Sequence, residues 1–119
     1  MWIFEGNTNH VSCFAPDSSH VEGAYILLII LSDESTRLAT TRTPNRFLVH
    51  WQNQSRQCAG LKIKKVLISA THPRNEKIKR VLLKQVNNMD TAESISQKLA
   101  AIYSAIKNGS QIINETRAT

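Results

Sequence analysis

The chain has few of the residues that usually mark tight turns, disulfide bridges and aromatic cores. Its 119 residues include four glycines, three prolines, two cysteines and 6% aromatic residues. The two cysteines, Cys13 and Cys58, are too few and too far apart to indicate a disulfide framework or a C-x-x-C redox motif. The core therefore has to be built from Ile, Leu and Val. Turns that need a positive φ have to use Asn and Asp in part.

The chain also lacks a long apolar run. The longest, residues 24–31, has eight residues, whereas a membrane-spanning helix needs roughly 20. A signal peptide has a basic segment followed by an apolar one, and the first ten residues do not show this pattern. We therefore expect no membrane partner and a cytoplasmic protein whose two thiols are free.

What is present is typical of one small globular domain. Hydrophobic residues make up 41% of the chain and charged residues 20%, which argues against global disorder. A chain of this length has room for a single core. We predict one domain over residues 1–109 and a polar C-terminal tail over residues 110–119.

The positive charge is concentrated in one segment. Residues 1–36 contain five acids and no Lys or Arg, whereas residues 37–86 contain twelve basic residues and one acid. Residues 61–86 alone have eight basic residues and one acid, a local charge of +7, and the rest of the chain has a charge of −1. The overall charge of +6 thus comes from one short unit.

Hydrophobic patterning predicts strands followed by helices. The apolar run at residues 24–31 predicts a central strand that is covered on both faces. Residues 1–5, 36–45, 46–52 and 61–70 predict further strands, because each is rich in apolar or β-branched residues or alternates apolar and polar ones. In residues 46–52, Phe47, Val49 and Trp51 alternate with Arg46, Leu48 and His50, and a hairpin into residues 61–70 would follow.

Two helices are predicted near the C-terminus. One covers residues 73–86, with Pro73 at its start, and the other begins near Asp90 and presents Ile95, Leu99 and Ile102 on one face. Strands first and helices last indicate an α+β fold: a mainly antiparallel sheet of four to five strands followed by two C-terminal helices packed on one face.

The basic unit suggests contact with nucleic-acid phosphates, which bind cations arrayed along one surface. The candidate residues are Lys62, Lys64, Arg74, Lys77, Arg80 and Lys84. No nucleic-acid motif is present, so phosphate contact is favoured over sequence readout. A face that meets only solvent, an acidic protein partner and an anionic ligand remain open alternatives.

A second hypothesis is a small-molecule binding module or small enzyme with a pocket between sheet and helices. Its candidate residues are His50, Trp51, Thr71 and His72, the last because it lies where a strand ends and a helix begins. No metal site or cofactor is predicted, since His10, Cys13, His20, His50, Cys58 and His72 lack paired ligand spacings.

A third hypothesis is self-association. Two helices are few for covering both faces of a sheet whose central strand is wholly apolar, and the acidic first third could pair with the basic unit of a second copy. On these grounds we favour a homodimer. A non-enzymatic binding or regulatory protein is the preferred reading of the three.

Overall fold

The computed structural model describes residues 2–8, 11, 15, 17, 23–52 and 61–107. Within these residues the chain forms four strands and three helices. They are β1 (Trp2–Gly6), β2 (Tyr25–Leu31), β3 (Thr36–Thr41), α1 (Pro44–Gln52), β4 (Ile63–Ser69), α2 (Asn75–Gln85) and α3 (Ala92–Lys107). The strands form one antiparallel sheet in the order β1-β4-β2-β3. The predicted α+β fold is confirmed, and the predicted tail at residues 110–119 lies outside the described residues.

Strand β2 lies inside the sheet, between β4 and β3, and all seven of its side chains are buried. Alternate residues of a strand point to opposite faces. Leu27 and Ile29 therefore belong to one apolar cluster, whereas Ile26 and Leu28 belong to a second cluster on the other face. Each fully buried Leu or Ile contributes about 1.5–3 kcal/mol of transfer free energy, so both faces have to be kept from water.

The first face is covered by α1. Leu48 and Trp51 of this helix pack in the same cluster as Leu27 and Ile29, together with Val11 and Ala15 from the chain between β1 and β2. The second face is covered by the two C-terminal helices, as predicted. Ile78 and Leu82 of α2, and Ile95, Leu99 and Ile102 of α3, pack on it.

The prediction of a strand at residues 46–52 is wrong, because these residues lie in α1. The residues that face the core recur at spacings of three, one and three, which places them on one side of a helix: Pro44, Phe47, Leu48 and Trp51. The same seven residues also alternate, so the local pattern fits both periods.

Contacts at the start of α1 favour the helix. The Thr43 carbonyl accepts a hydrogen bond from the Phe47 N–H at 2.9 Å, and Pro44 is pre-organised for a first helical position. The Asp17 carboxylate accepts hydrogen bonds from the N–H groups of Asn45, at 2.8 Å, and Arg46, at 3.2 Å. A side chain almost thirty residues away thus satisfies two amides that the helix leaves free.

This correction changes two other expectations. The predicted hairpin from residues 46–52 into β4 does not form, and β4 pairs with β1 and β2 instead. Helix α1 also covers the sheet face that two C-terminal helices would have left open, so the need for a second subunit to cover it disappears. The homodimer remains a prediction without this support.

A polar cluster joins α2 to α3. The Lys98 ammonium donates to the Gln85 carbonyl at the end of α2, at 2.6 Å, and to the Asp90 carboxylate, at 2.9 Å. The Asn87 N–H also donates to Asp90. The Asn87 hydrogen bond and then those from Lys98 and Ser94 lower the pKa of Asp90 from 3.8 to about 2.

The described helices are all too short or too polar to cross a membrane. The longest of them, α3, has 16 residues.

We predict that Asp17→Ala lowers the free energy of unfolding by about 1–2 kcal/mol, because it removes the carboxylate that caps α1. The matched control is Glu5→Ala, which removes an exposed ion pair with Lys65 and should cost less than about 1 kcal/mol. Chemical denaturation of the two variants and the parent measures the difference. Equal stability of Asp17→Ala and the parent would contradict the capping role.

We also predict that Asp90 makes stability depend on pH in the acid range. Its pKa in the folded protein is below the value in the unfolded chain, so its contribution is complete above about pH 4 and is lost as the pH falls through about 2. The parent should therefore lose stability over this window more steeply than Asp90→Asn. Denaturation midpoints between pH 2 and pH 5 test this, and parallel profiles would count against it.

Candidate nucleic-acid interface and adjoining pocket

The start of α2 is fixed by one buried amide side chain. Asn75, the first residue of the helix, is fully buried, and its Nδ2 donates to the carbonyls of Ala24 and Ala70. The Ala24 carbonyl also accepts the His72 N–H, at 3.3 Å. The end of β4, the connection to α2 and the residue preceding β2 are thereby held together, and both amide hydrogens of Asn75 are satisfied.

Asn75 also joins α2 to α3. Its Oδ1 accepts a hydrogen bond from the Tyr103 hydroxyl. Burial raises the pKa of Tyr103 above its ordinary value of 10, although hydrogen bonds with Ser69 and Asn75 act in the opposite direction. The phenol is therefore protonated at neutral pH and remains a donor.

Four basic side chains lie on the side of α2 that faces away from α3. At 100° per residue, Lys77, Arg80 and Lys84 are turned by about 200°, 140° and 180° from Asn75, which points to α3. Arg74 precedes the helix on the flank of this surface. All four residues are exposed. We call this surface, formed by Arg74, Lys77, Arg80 and Lys84, the basic face of α2.

The basic face of α2 is not compensated by acids within the described residues. None of its four side chains forms an ion pair there, and the one acid of α2, Glu76, is not within ion-pair distance of them. With rises of 1.5 Å per residue, the face extends for about 15 Å from Arg74 to Lys84.

The two predicted contact residues at the start of β4, Lys62 and Lys64, are placed differently. Lys64 forms an exposed ion pair with Glu34, and the neighbouring Lys65 forms one with Glu5. Lys62 is exposed but precedes the strand, about 20 Å by strand rise from the end at which α2 begins. The structure therefore brings Arg74, Lys77, Arg80 and Lys84 onto one surface and leaves Lys62 and Lys64 at the far end of β4.

A pocket of about 240 Å³ adjoins the basic face. It is lined by Ser69, Ala70, Thr71, His72 and Tyr103, and it is mostly apolar and open to solvent. The His72 and Tyr103 rings meet edge to face, with centroids 6.1 Å apart and planes at 64°. The His72 Nδ1 accepts the Arg74 N–H at 3.0 Å, so this ring is held by the same residue that begins the basic face.

The four residues predicted for a pocket are divided between the two faces of the sheet. Thr71 and His72 line the pocket just described. Trp51 is buried in the cluster under α1, on the opposite face, and the His50 side chain on the same helix is exposed. The structure does not bring His50 and Trp51 together with Thr71 and His72.

Sequence reasoning missed Asn75 and Tyr103. Asn75 is a polar residue on the apolar side of α2, three and seven residues before Ile78 and Leu82, and this spacing already indicates burial. Tyr103 is next to Ile102 of the apolar stripe of α3. Nothing in the sequence indicates that the two side chains meet, because they are 28 positions apart.

Further groups with reactive chemistry are the Ser69 hydroxyl and the side chains that could bind a metal ion. The Ser69 hydroxyl accepts the Ile26 N–H and donates to the Ala70 carbonyl, both at 2.9 Å. Among the described residues no three His, Cys, Asp or Glu side chains are grouped as metal ligands. Of the soft ligands considered above, His10, Cys13, His20 and Cys58 lie outside the described residues.

Comparisons of the chain with protein-family models, with curated proteins and with solved structures give no match. The functional argument therefore depends on the geometry of this chain.

We predict that Gly23→Ala strongly destabilises the protein. Gly23 has a φ of 78°, and a Cβ there would lie 2.1 Å from the His72 carbonyl oxygen. Backbone strain alone should cost about 1–3 kcal/mol, and the contact adds to it.

The matched control is Gly6→Ala. A Cβ at Gly6 would meet the Phe4 ring at 3.4 Å, and its φ is not positive, so its stability should stay within about 1 kcal/mol of the parent. Thermal unfolding of both variants tests the close approach of Gly23 to His72. Similar midpoints for the two would contradict it.

Proposed function

We propose that this protein is a non-enzymatic binding protein that contacts nucleic-acid phosphates through the basic face of α2. The observation that supports this most strongly is the alignment of Arg74, Lys77, Arg80 and Lys84 on one exposed surface without carboxylate partners in the described chain. Cations on such a surface displace the counterions condensed on a nucleic acid, and the released ions provide much of the binding free energy.

The distribution of the other charges favours this surface. Lys64, Lys65 and Lys98 are paired with Glu34, Glu5 and Asp90. Other exposed cations, such as Arg37, Arg42 and Lys107, are also without ion pairs among the described residues. They lie on β3, in the connection from β3 to α1 and at the end of α3, whereas α2 and the residue before it present four cations on one surface. A surface that is kept positive attracts polyanions from a distance as well as at contact.

The rigidity of α2 supports a binding role for its outer side. Ile78, Val81 and Leu82 are buried against the sheet, and Asn75 fixes the first turn. The four cations are therefore carried by an element whose position does not have to be ordered on binding, which reduces the entropic cost of association.

Phosphate contact is favoured over the reading of base edges. Specific readout typically uses bidentate Arg, Asn or Gln side chains from a helix inserted in the major groove. The sequence contains no nucleic-acid recognition motif, and two of the four cations of the basic face are lysines, which bind phosphate as point charges. We therefore expect affinity with little preference for sequence.

Self-association through opposite charges is less well supported. Among the acids of residues 1–36, Glu5 and Glu34 pair with Lys65 and Lys64. Asp17 caps α1 and Asp33 accepts hydrogen bonds from Ser35. These acids are engaged within the chain, so they are less available to the basic face of a second copy.

We predict that binding to short oligonucleotides weakens steeply with salt. Four phosphate contacts correspond to a slope of roughly −3 to −4 in a plot of log affinity against log salt, or roughly a 100-fold loss between 50 and 200 mM. Reversal of Lys77, Arg80 and Lys84 to Glu should abolish this binding for every sequence tested. Fluorescence anisotropy at several salt concentrations measures both effects.

The matched control reverses Arg37, Arg42 and Lys107 to Glu. These residues are exposed and free of ion pairs among the described residues, so the change in net charge is identical. The control should retain most of the affinity and the salt slope. Equal losses in the two triple variants would reduce the effect to net charge and reject the basic face of α2 as the binding surface.

A further inference from the structure

We propose that the pocket lined by Ser69, Ala70, Thr71, His72 and Tyr103 accepts an unpaired base, so that the ligand of the basic face of α2 is single-stranded nucleic acid. This inference rests on the proposed function and specifies the class of nucleic acid. It joins two features that meet at the start of α2: a cationic surface without carboxylate partners among the described residues, and an apolar pocket with two rings.

The pocket and the basic face meet at the N-terminal end of α2. His72 lines the pocket, and its Nδ1 accepts the N–H of Arg74, the first residue of the basic face. Tyr103 places the pocket on the α3 side of this end. A strand whose phosphates follow the basic face therefore has to pass Arg74 and turn around the start of α2 to place a base in the pocket. This arrangement of a positively charged track with an aromatic contact is common in proteins that bind single strands.

The size and lining of the pocket fit one ring system. Its volume of about 240 Å³ is below the range of about 300–1,000 Å³ that is usual for whole ligands and cofactors. A mostly apolar lining with two aromatic rings favours a planar group. A base that is paired and stacked in a duplex cannot enter such a pocket, whereas an unstacked base of a single strand can.

The two rings are held in place before any ligand binds. The Tyr103 hydroxyl donates to Asn75, which is itself bonded to the carbonyls of Ala24 and Ala70. His72 is fixed through Arg74, and its backbone N–H donates to Ala24. A base would thus meet a preformed surface, and little conformational entropy would be lost on stacking.

Polar groups at the pocket can contact a base edge. Because the His72 Nδ1 accepts a hydrogen bond, the neutral imidazole holds its proton on Nε2, which leaves a donor. The Thr71 hydroxyl lines the pocket and has no hydrogen-bond partner among the described residues. Both groups tolerate several bases, in keeping with weak sequence preference.

The test compares single-stranded and duplex oligonucleotides of equal charge, as DNA and as RNA, with the parent, His72→Ala and His72→Tyr. Loss of one stacked base corresponds to roughly a 5- to 150-fold loss of affinity. His72→Ala should show this loss for single strands and bind duplex as the parent does, and His72→Tyr should recover single-strand binding. The better ligand of the DNA and RNA single strands identifies the source.

A second measurement does not depend on variants. Titration of the parent with adenosine monophosphate should shift the NMR signals of Thr71, His72 and Tyr103, whereas ribose phosphate, which has no base, should leave them in place. Equal shifts from both compounds, or none from the nucleotide, would overturn the pocket assignment.

The outcomes also separate this inference from the proposed function. If His72→Ala affects single strands and duplex equally, or neither, while the reversal of Lys77, Arg80 and Lys84 still abolishes binding, the pocket assignment fails and the basic face stands. If the parent binds no nucleic acid at low salt, both proposals fail.

Discussion

The burial of β2 on both of its faces is the constraint on which the rest of the fold depends. Its seven side chains, Tyr25 to Leu31, are buried, and six of them are aliphatic. Such a strand is stable only in the interior of a sheet with cover above and below. Helix α1 supplies one layer, and α2 with α3 supplies the other. Among the described residues nothing packs on the outer side of α2, where the cations lie exposed.

Asn75 connects that architecture to the candidate site. Its buried amide lies at the start of α2 and is hydrogen-bonded to the residue before β2 and to the end of β4. Through Tyr103 it is also hydrogen-bonded to α3. Since a buried polar group has to be satisfied, displacing any of these four segments would leave a hydrogen-bonding group of Asn75 or its partner unpaired. The arrangement also forms the pocket wall and places Arg74 beside His72. The site is thus a consequence of how the second layer is attached to the sheet.

Much of the fold could be predicted from the sequence. The parts that could not be predicted depend on contacts between distant segments. β2 and the two C-terminal helices follow from a continuous apolar run and from apolar residues at spacings of three and four. The strand predicted for residues 46–52 is wrong because their pattern fits both a strand and a helix. The distant carboxylate of Asp17 favours the helix by accepting hydrogen bonds from its first turn. Local sequence does not contain that contact.

The candidate site divides in the same way. The cations of α2 could be predicted to share a surface, because helical spacing alone determines it. Other features depend on pairings between segments about 30 positions apart. Examples are the ion pair of Lys64 with Glu34 and the contacts of Tyr103 with Asn75 and His72. Grouping His50 and Trp51 with His72 failed for the same reason, since the intervening β4 returns the chain to the other side of the sheet.

The central claim is that the basic face of α2 is the nucleic-acid contact surface. Its most direct test is to map the contact on the intact protein by titrating isotope-labelled chain with a short oligonucleotide and following backbone NMR shifts. The account predicts that the shifts concentrate in residues 74–84 and in the pocket residues 69–72, and that they disappear as salt is raised. Shifts centred on α1, or no shifts at low salt, would contradict it.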